Sequence, residues 1–506
     1  MSVSGERSGT DGQESQLLRQ FGYEQAMDRS TGRFASFAVA FAFVSIATGT
    51  FTTYGSVLNS SGPLGIWTWP IVVVGQLAVA LVYGSLAARI PVTGYSYQWM
   101  SRLANPVLGW AVGWMSFTFL AVVVVAVDYT IASAVAPNLF HYTETVANAW
   151  IITGLIMVAQ ALLVAYSTPW SERINNFSVI AELGGMIALV VLLLVVGAIG
   201  RELSLHNLFS KGAIPSHGYW SFGSGWHVGP WMLGTLLGAF TIVGFESAAN
   251  LAEETHHPER VVPRAMWQAV LASGVLGFLF LVAVTLAAND PVKLAASSTP
   301  IADVIKAVLG SVVGDLLLIL VVISIFACGL VILITGVRLT WAMSRDQRFP
   351  GWQVLQPISD RTGTPRNATF FFLIVAEVIL AIFAQRTDVL FKLFSAATLL
   401  PAILYLATVI LFAVKRRHLP ASQGFDLKRW ETPVMVLALV WLLFEMSIFR
   451  DSSFKDPWIY IGVMAAIGLV YLSYLLVRHG RRRLDMPAMD SIDAEVAGHP
   501  EIGEIA

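Results

Sequence analysis

The chain has 506 residues, 56% of them hydrophobic and 12% charged, with a mean hydropathy of +0.69. Soluble proteins carry about 25% charged residues, so this much apolar surface does not fit one soluble core and reads as a membrane protein with several spans. Lys and Arg total 31 against 32 Asp and Glu, which lacks the basic field of a nucleic-acid binder, and one cysteine, Cys328, excludes an internal disulfide or a thiolate metal cluster.

Residues 1–33 are polar and contain no short apolar core with a cleavage site, so a tail is expected there and no signal peptide. The first apolar run, FASFAVAFAFVSIATGTFTTYGSVL, starts near Phe34. Further runs centre near 78, 120, 158, 188, 240, 276, 325, 375, 400, 440 and 467. Each is long enough, or nearly so, to cross the hydrocarbon as a helix of about 20 residues. The pattern predicts an all-α membrane protein of about twelve transmembrane helices. Spans one to five fall in 34–200, an outer loop in 201–229, spans six to ten in 230–415, spans eleven and twelve in 416–479, and a tail in 480–506. Within this frame, 299–311 (TPIADVIKAVLGS) is too short to span and reads as an outer amphipathic helix, and the aromatic-rich 201–229 is expected to fold over the outer mouth. The loop charges orient the molecule. Of the 31 Lys and Arg, 23 fall on the loops that share a side with the N-terminus, seven on the other side, and Lys392 lies within a span. The positive-inside bias therefore puts both termini in the cytoplasm of a multi-pass protein of the cell membrane.

Two spans carry signs of interruption. In the first, Ser45-Ile46-Ala47-Thr48-Gly49-Thr50 lies near mid-membrane. In the sixth, Gly234, Gly238 and Gly244 surround Ala239-Phe240-Thr241-Ile242-Val243. Glycine weakens a helix interior by about 1 kcal/mol relative to alanine, and broken helices at membrane depth are tolerated where they line a cavity. Close packing through small residues explains either span alone equally well. The two lie five spans apart, as first helices of two five-helix halves, and that pairing points to an inverted-repeat transporter. The outer half of span one would begin at mid-membrane with free N–H groups and a positive dipole end, seating a carboxylate at Thr48, Gly49 and Thr50. The outer half of span six would end there with unpaired carbonyls at Phe240 and Thr241, which attract an ammonium, while Phe240 covers the cavity or offers a cation–π face.

The stretch GFESAANLAEETHHPERVVPRAM (244–266) resembles the sixth span and following loop of the amino acid–polyamine–organocation transporter superfamily. YGSLAARIPVTGYSYQWMSRL (83–103) is similar to that family's loop after span two, and GVRLTWAMSRDQRFPGW (336–352) to its span-eight exit. Within the superfamily, SIATGTFTTYG and SGPLGIWTWP (61–70) look most like the amino acid/choline transporter branch. The resemblance covers roughly 34–480 and implies a five-plus-five inverted repeat followed by two extra helices. It also implies substrate contacts at Ala47, Thr48, Gly49, Thr50, Phe240, Thr241 and Gly244. One departure stands out: the family's Gly-Ser-Gly-like turn here reads Ala47-Thr48-Gly49-Thr50, with a glycine lost and hydroxyls added. That suits γ-aminobutyrate-like substrates or simple amines as well as α-amino acids.

Ionisable residues within spans are functional by default. Glu182 in span five stands where similar transporters often carry a lysine or a small polar residue. Three readings compete for it: a protonatable coupling group, a ligand for Na⁺ or a cationic substrate, and a neutral hydrogen-bond donor. Glu246, after the sixth-span break, either transfers a proton or caps the N–H groups of the inner half-helix. Asp128 reads as a packing contact, Glu377 and Lys392 as partners of each other, and Glu445 as structural or at an oligomer contact. Span eight presents Ala327, Cys328 and Gly329 where sodium-coupled relatives would show hydroxyls, which favours a proton over Na⁺. Loop charges Glu253, Glu254, Arg260, Arg264, Arg345 and Asp346 suit an inner ion-pair gate, or else a solvated set that fixes topology. His256 and His257 have no third ligand in view, so no metal site is expected. No nucleophile, metal-hydrolase or phosphate-loop motif is visible, so no enzyme and no cofactor are predicted. The whole reads as a secondary transporter for an amino acid or related amine, proton-coupled, with exchange or sodium symport as alternatives. A channel of this fold lacks a repeated filter sequence, and a non-transporting sensor is the remaining rival.

Overall fold

A computed structural model describes residues 18–27, 29–143, 145–383, 389–422, 424–480 and 484. The expectations for the first seventeen residues, for 485–506, and for the side chain of Lys392 lie outside the described residues. Among those residues the fold is helical, and ten helices are long and apolar enough to cross a membrane. They are Arg33–Ser60, Pro63–Arg89, Pro106–Phe140, Val146–Tyr166, Pro169–Gly200, Pro258–Leu286, Pro300–Arg345, Ser395–His418, Lys428–Ile448 and Ser452–Arg478. Two expected spans are not in this set. The sixth is cut into Pro230–Leu233, Thr235–Thr241 and Ser247–Asn250, and the ninth is the helix Arg366–Phe383, which ends at the edge of the described residues.

Burial sorts the spans into centre and rim. The apolar windows of the first three are 89%, 78% and 83% buried, whereas those of the last two are 33% and 22% buried. The rim spans turn Ile459, Val463, Val470 and Val477 outward, as a lipid-facing wall requires. The central spans touch closely through small residues. A methyl at Gly75 of span two would sit 2.1 Å from the Trp441 indole of span eleven, so no larger residue fits that crossing.

Helix starts follow the local chemistry. Asn105 caps Pro106–Thr130 by accepting from Val107 N–H, and Thr145 and Asn148 form a reciprocal capping box ahead of Val146–Tyr166. Gly310 (φ 75°) breaks the backbone within Pro300–Arg345, so the stretch before it forms a separate lead-in helix. Lys306 on that lead-in pairs with Asp315 at 2.9 Å and donates to the Asn138 carbonyl at 2.7 Å. Residues 201–229 lie against the ends of spans one, two and seven. Tyr219 donates to the Ser61 carbonyl at 2.6 Å, Trp67 to Leu208 at 2.9 Å, and Asn207 to Ala288 at 2.6 Å.

Candidate substrate site

The first span breaks at one residue. Ser45 takes φ 27° and ψ 100°, separating Arg33–Val44 from Ile46–Ser60. The first four N–H groups of a helix lack partners within it or depend on its cap, and here each is satisfied by the protein. The Glu182 carboxylate accepts from Ala47 N–H at 3.1 Å, from Ser45 Oγ at 3.2 Å, and from the Ile46 backbone. Ser45 Oγ in turn accepts from Thr48 N–H at 3.2 Å, and the Ser45 carbonyl accepts from Gly49 N–H at 3.1 Å. The sequence led us to expect free amides at this turn. The structure corrects that expectation, because the break residue carries a capping hydroxyl and a buried acid reaches it from span five. Thr50 turns its hydroxyl back to the Ile46 carbonyl at 2.7 Å, and Thr48 donates to Ser45 Oγ at 2.8 Å.

The sixth span breaks over several residues. Thr235–Thr241 ends with Ile242 N–H on the Gly238 carbonyl at 2.8 Å, and helix resumes at Ser247–Asn250. Gly244 between them has φ 85°, and a methyl there would sit 1.8 Å from the Phe43 ring, so both backbone and space demand glycine. Its N–H donates to the Tyr405 hydroxyl at 2.9 Å, and that hydroxyl donates to Glu246 Oε2 at 2.6 Å. Tyr405 of span ten thus bridges the bare backbone and the buried acid. Ser247 Oγ donates to the Val39 carbonyl at 3.3 Å, tying the inner piece of span six to the inner half of span one.

The two breaks meet. A methyl at Gly49 would sit 2.1 Å from Thr241 Oγ1. Beside this contact lies a cavity of about 20 Å³, with Phe43, Thr48, Gly49, Phe240, Thr241 and Cys328 in its wall. That is room for about one water, so the conformation is closed around its centre. The Cys328 thiol donates to the Phe43 carbonyl at 3.4 Å. Ala47, Thr50 and Gly244 stand behind the wall rather than in it, as do Glu182 and Glu246.

On the side of residues 18–31, which is inward in the orientation the loop charges predict, charged side chains pair with one another. Glu253 pairs with Arg345 at 2.9 Å, and Glu254 pairs with Arg338 at 2.6 Å in a bidentate contact. Asp346 accepts from Tyr97 at 2.7 Å and from Tyr23 at 2.9 Å. Arg345 also stacks 3.8 Å over the Tyr23 ring. Burial, then the Asp346 charge, push the Tyr23 hydroxyl up to about 12, so it stays a donor at physiological pH. Arg260 and Arg264 do not join this set: Arg260 meets Glu259 at the surface, and Arg264 is exposed. Sequence reasoning missed Arg338 and Tyr23. The one sits about two turns inside span eight, and the other belongs to a segment read as a tail.

The remaining acids separate. Asp128 is fully buried and accepts from Gln160 at 2.8 Å, while its Oδ2 lacks a partner among the described residues. Glu445 is 1% exposed, so it faces the chain's own interior and not an oligomer surface.

A family described as amino acid permease matches residues 32–470. The chain belongs to the amino acid permease family. It is a multi-pass membrane protein of transporter type. Relatives lie at low identity over nearly full length. The permease is 23% identical over 451 residues to an amino-acid permease, BAT1, of Arabidopsis thaliana, covering 84% of this chain and 86% of that protein. It is 25% identical over 446 residues to the branched-chain amino acid permease BcaP of Lactococcus lactis, covering 85% and 91%. It is 22% identical over 480 residues to the thiamine transporter thi9 of Schizosaccharomyces pombe, covering 87% and 80%.

Proposed function

We propose that the permease is a secondary active transporter that carries an amino acid or related amine by alternating access. The observation that carries this reading is the meeting of two broken helices around one mid-membrane cavity, sealed inward by buried ion pairs. Spans 34–200 and 230–415 act as two inverted halves that rock about that cavity, and spans eleven and twelve brace the rim. The substrate contacts are those of the cavity wall, with Ala47, Thr50 and Gly244 shaping it from behind. The substrates named for its relatives, amino acids for BAT1 and BcaP and thiamine for thi9, support a small amine-bearing solute. The protein sits in the cell membrane with both termini cytoplasmic, on the strength of its loop charges.

Glu182 and Glu246 couple transport to a proton. Each is a buried carboxylate fastened to one of the breaks, so gaining or losing a proton changes the hydrogen bonds that hold that break. Sodium is disfavoured because span eight offers Ala327, Cys328 and Gly329 without hydroxyl oxygens. The test is uptake of a radiolabelled panel of amino acids and amines into proteoliposomes under imposed pH and Na⁺ gradients. An inward proton gradient is expected to drive accumulation, and Glu182→Gln to lose that dependence. Uptake by Glu182→Gln with an unchanged pH dependence removes Glu182 from the coupling.

A further inference from the structure

We infer that the permease holds a second amino acid seat on the inner side of its central cavity. This seat grips the zwitterionic head of an apolar amino acid between Arg338 at one end and Asn175 with Glu172 at the other. The choice of solute rests on the transport reading above, and the test reads binding, so the two fail separately.

The seat is a second cavity, of about 40 Å³, about one helical turn inward of the first. Val39 precedes the central-wall residue Phe43 by four positions on span one, and Val331 follows Cys328 by three on span eight. Each therefore shares a helix face with the central wall, at an offset of about 5–6 Å along the axis. The cavity runs between the inner half of span one, spans four, five and eight, and the inner end of span six. Ser30 and Thr31 edge it, each donating its N–H to the Glu254 carbonyl, at 3.1 and 2.9 Å.

Two buried polar groups in this wall lack partners. Arg338 is 3% exposed; its Nε and Nη2 hold Glu254, and its Nη1 has no partner among the described residues. Asn175 is 2% exposed, and its Oδ1 has none either. One is a cationic donor and the other an acceptor, and both line the same space. Keeping such groups dry is costly. About three waters fit a volume of this size, but water alone does not account for the rest of the wall. Glu172, half-buried and one turn before Asn175 on span five, adds a carboxylate. Asn176 hydrogen-bonds that carboxylate, which still leaves lone pairs for a further donor. Val39, Val164, Leu251 and Val331 supply apolar surface between the two ends.

An amino acid answers this pattern group by group. Its carboxylate takes the free Nη1–H of Arg338. Its ammonium meets Asn175 Oδ1 and Glu172, and an aliphatic side chain lies on the valines and leucine. A simple amine leaves Arg338 unanswered, and a simple acid leaves Asn175 unanswered. The present volume is less than a whole leucine needs, so the seat is completed as the inner side widens for release.

Full-length protein in lipid nanodiscs is titrated with radiolabelled leucine, and bound leucine per protein is counted at saturation. Wild type is expected to bind two. Asn175→Leu, which removes the free acceptor and keeps the volume, is expected to bind one, with the affinity of that remaining site unchanged within about twofold. Glu172→Gln removes the charge facing the ammonium and is expected to weaken one of the two sites by about tenfold or more. One leucine per wild-type protein, or none, overturns the inference, because the inner cavity then takes water only. Two leucines of unchanged affinity in wild type and in both variants place the second elsewhere and overturn it too. If Asn175→Leu fails to fold, Glu172→Gln decides, and wild-type affinity at both of its sites overturns the inference. If no compound of the amine and amino acid panel enters proteoliposomes while these binding results hold, the transport reading fails and the seat stands.

Discussion

The two broken spans solve one problem by different means. Span one loses helical geometry at Ser45 alone, and a side chain repairs the damage: the Ser45 hydroxyl and the Glu182 carboxylate take up the orphaned amides. Span six is open from Ile242 to Glu246 and depends on a positive φ at Gly244, with Tyr405 as its main outside support. The first break is thus closed by charge and the sixth by shape. A change of protonation acts directly on the first, whereas a change of volume acts directly on the second.

Substitution at the sixth break is the severest way to test this contrast. In Gly244→Val the new side chain collides with Phe43 and forces a branched residue to positive φ. Uptake is expected to fall to background, and a functional Gly244→Val would show that shape does not hold this break. Next is the ion pair that pins the inner end of span six. Arg338→Ala leaves Glu254 buried without its partner, a loss of about 3–5 kcal/mol. The inner side should open, so that a membrane-impermeant maleimide supplied from that side labels Cys328 several-fold faster than in wild type. An unchanged labelling rate would remove the gate role. Mildest is Tyr405→Phe, which removes one hydroxyl and leaves Gly244 N–H and Glu246 unbridged. The expected loss is about 1–3 kcal/mol of stability, read as a lowered melting temperature in detergent, with uptake reduced but not abolished.

The helical membrane fold, the two interrupted helices and the family were legible in the sequence because each has a physical signature. Apolar length marks a span, glycine at mid-membrane marks a break, and 244–266 carries its own pattern. The exact residue of the first break was harder to read. Of the expected run Ser45–Thr50, the backbone departs at Ser45 alone, and Gly49 is the point of contact with Thr241. Glycine in a helix signals either freedom or closeness, and the sequence alone does not separate them. The partner of the Ile46 and Ala47 amides was also hidden. Glu182 is 135 residues from Ala47, and only the packing of span five against span one joins them. The ion-pair cluster was half legible: Glu253, Glu254, Arg345 and Asp346 lie in it, but Arg338 and Tyr23 enter from a span interior and from the segment before span one.

The central claim is that substrate occupies the space between the two breaks. Cys328 is the chain's single cysteine and stands in that wall, so it reports on occupancy without any added label site. In reconstituted Arg338→Ala protein, maleimide labelling of Cys328 is measured with and without a compound shown to be transported. We predict that the transported compound slows labelling in proportion to its occupancy, while a non-transported analogue does not. A saturating transported substrate that leaves the labelling rate of Cys328 unchanged would contradict the account.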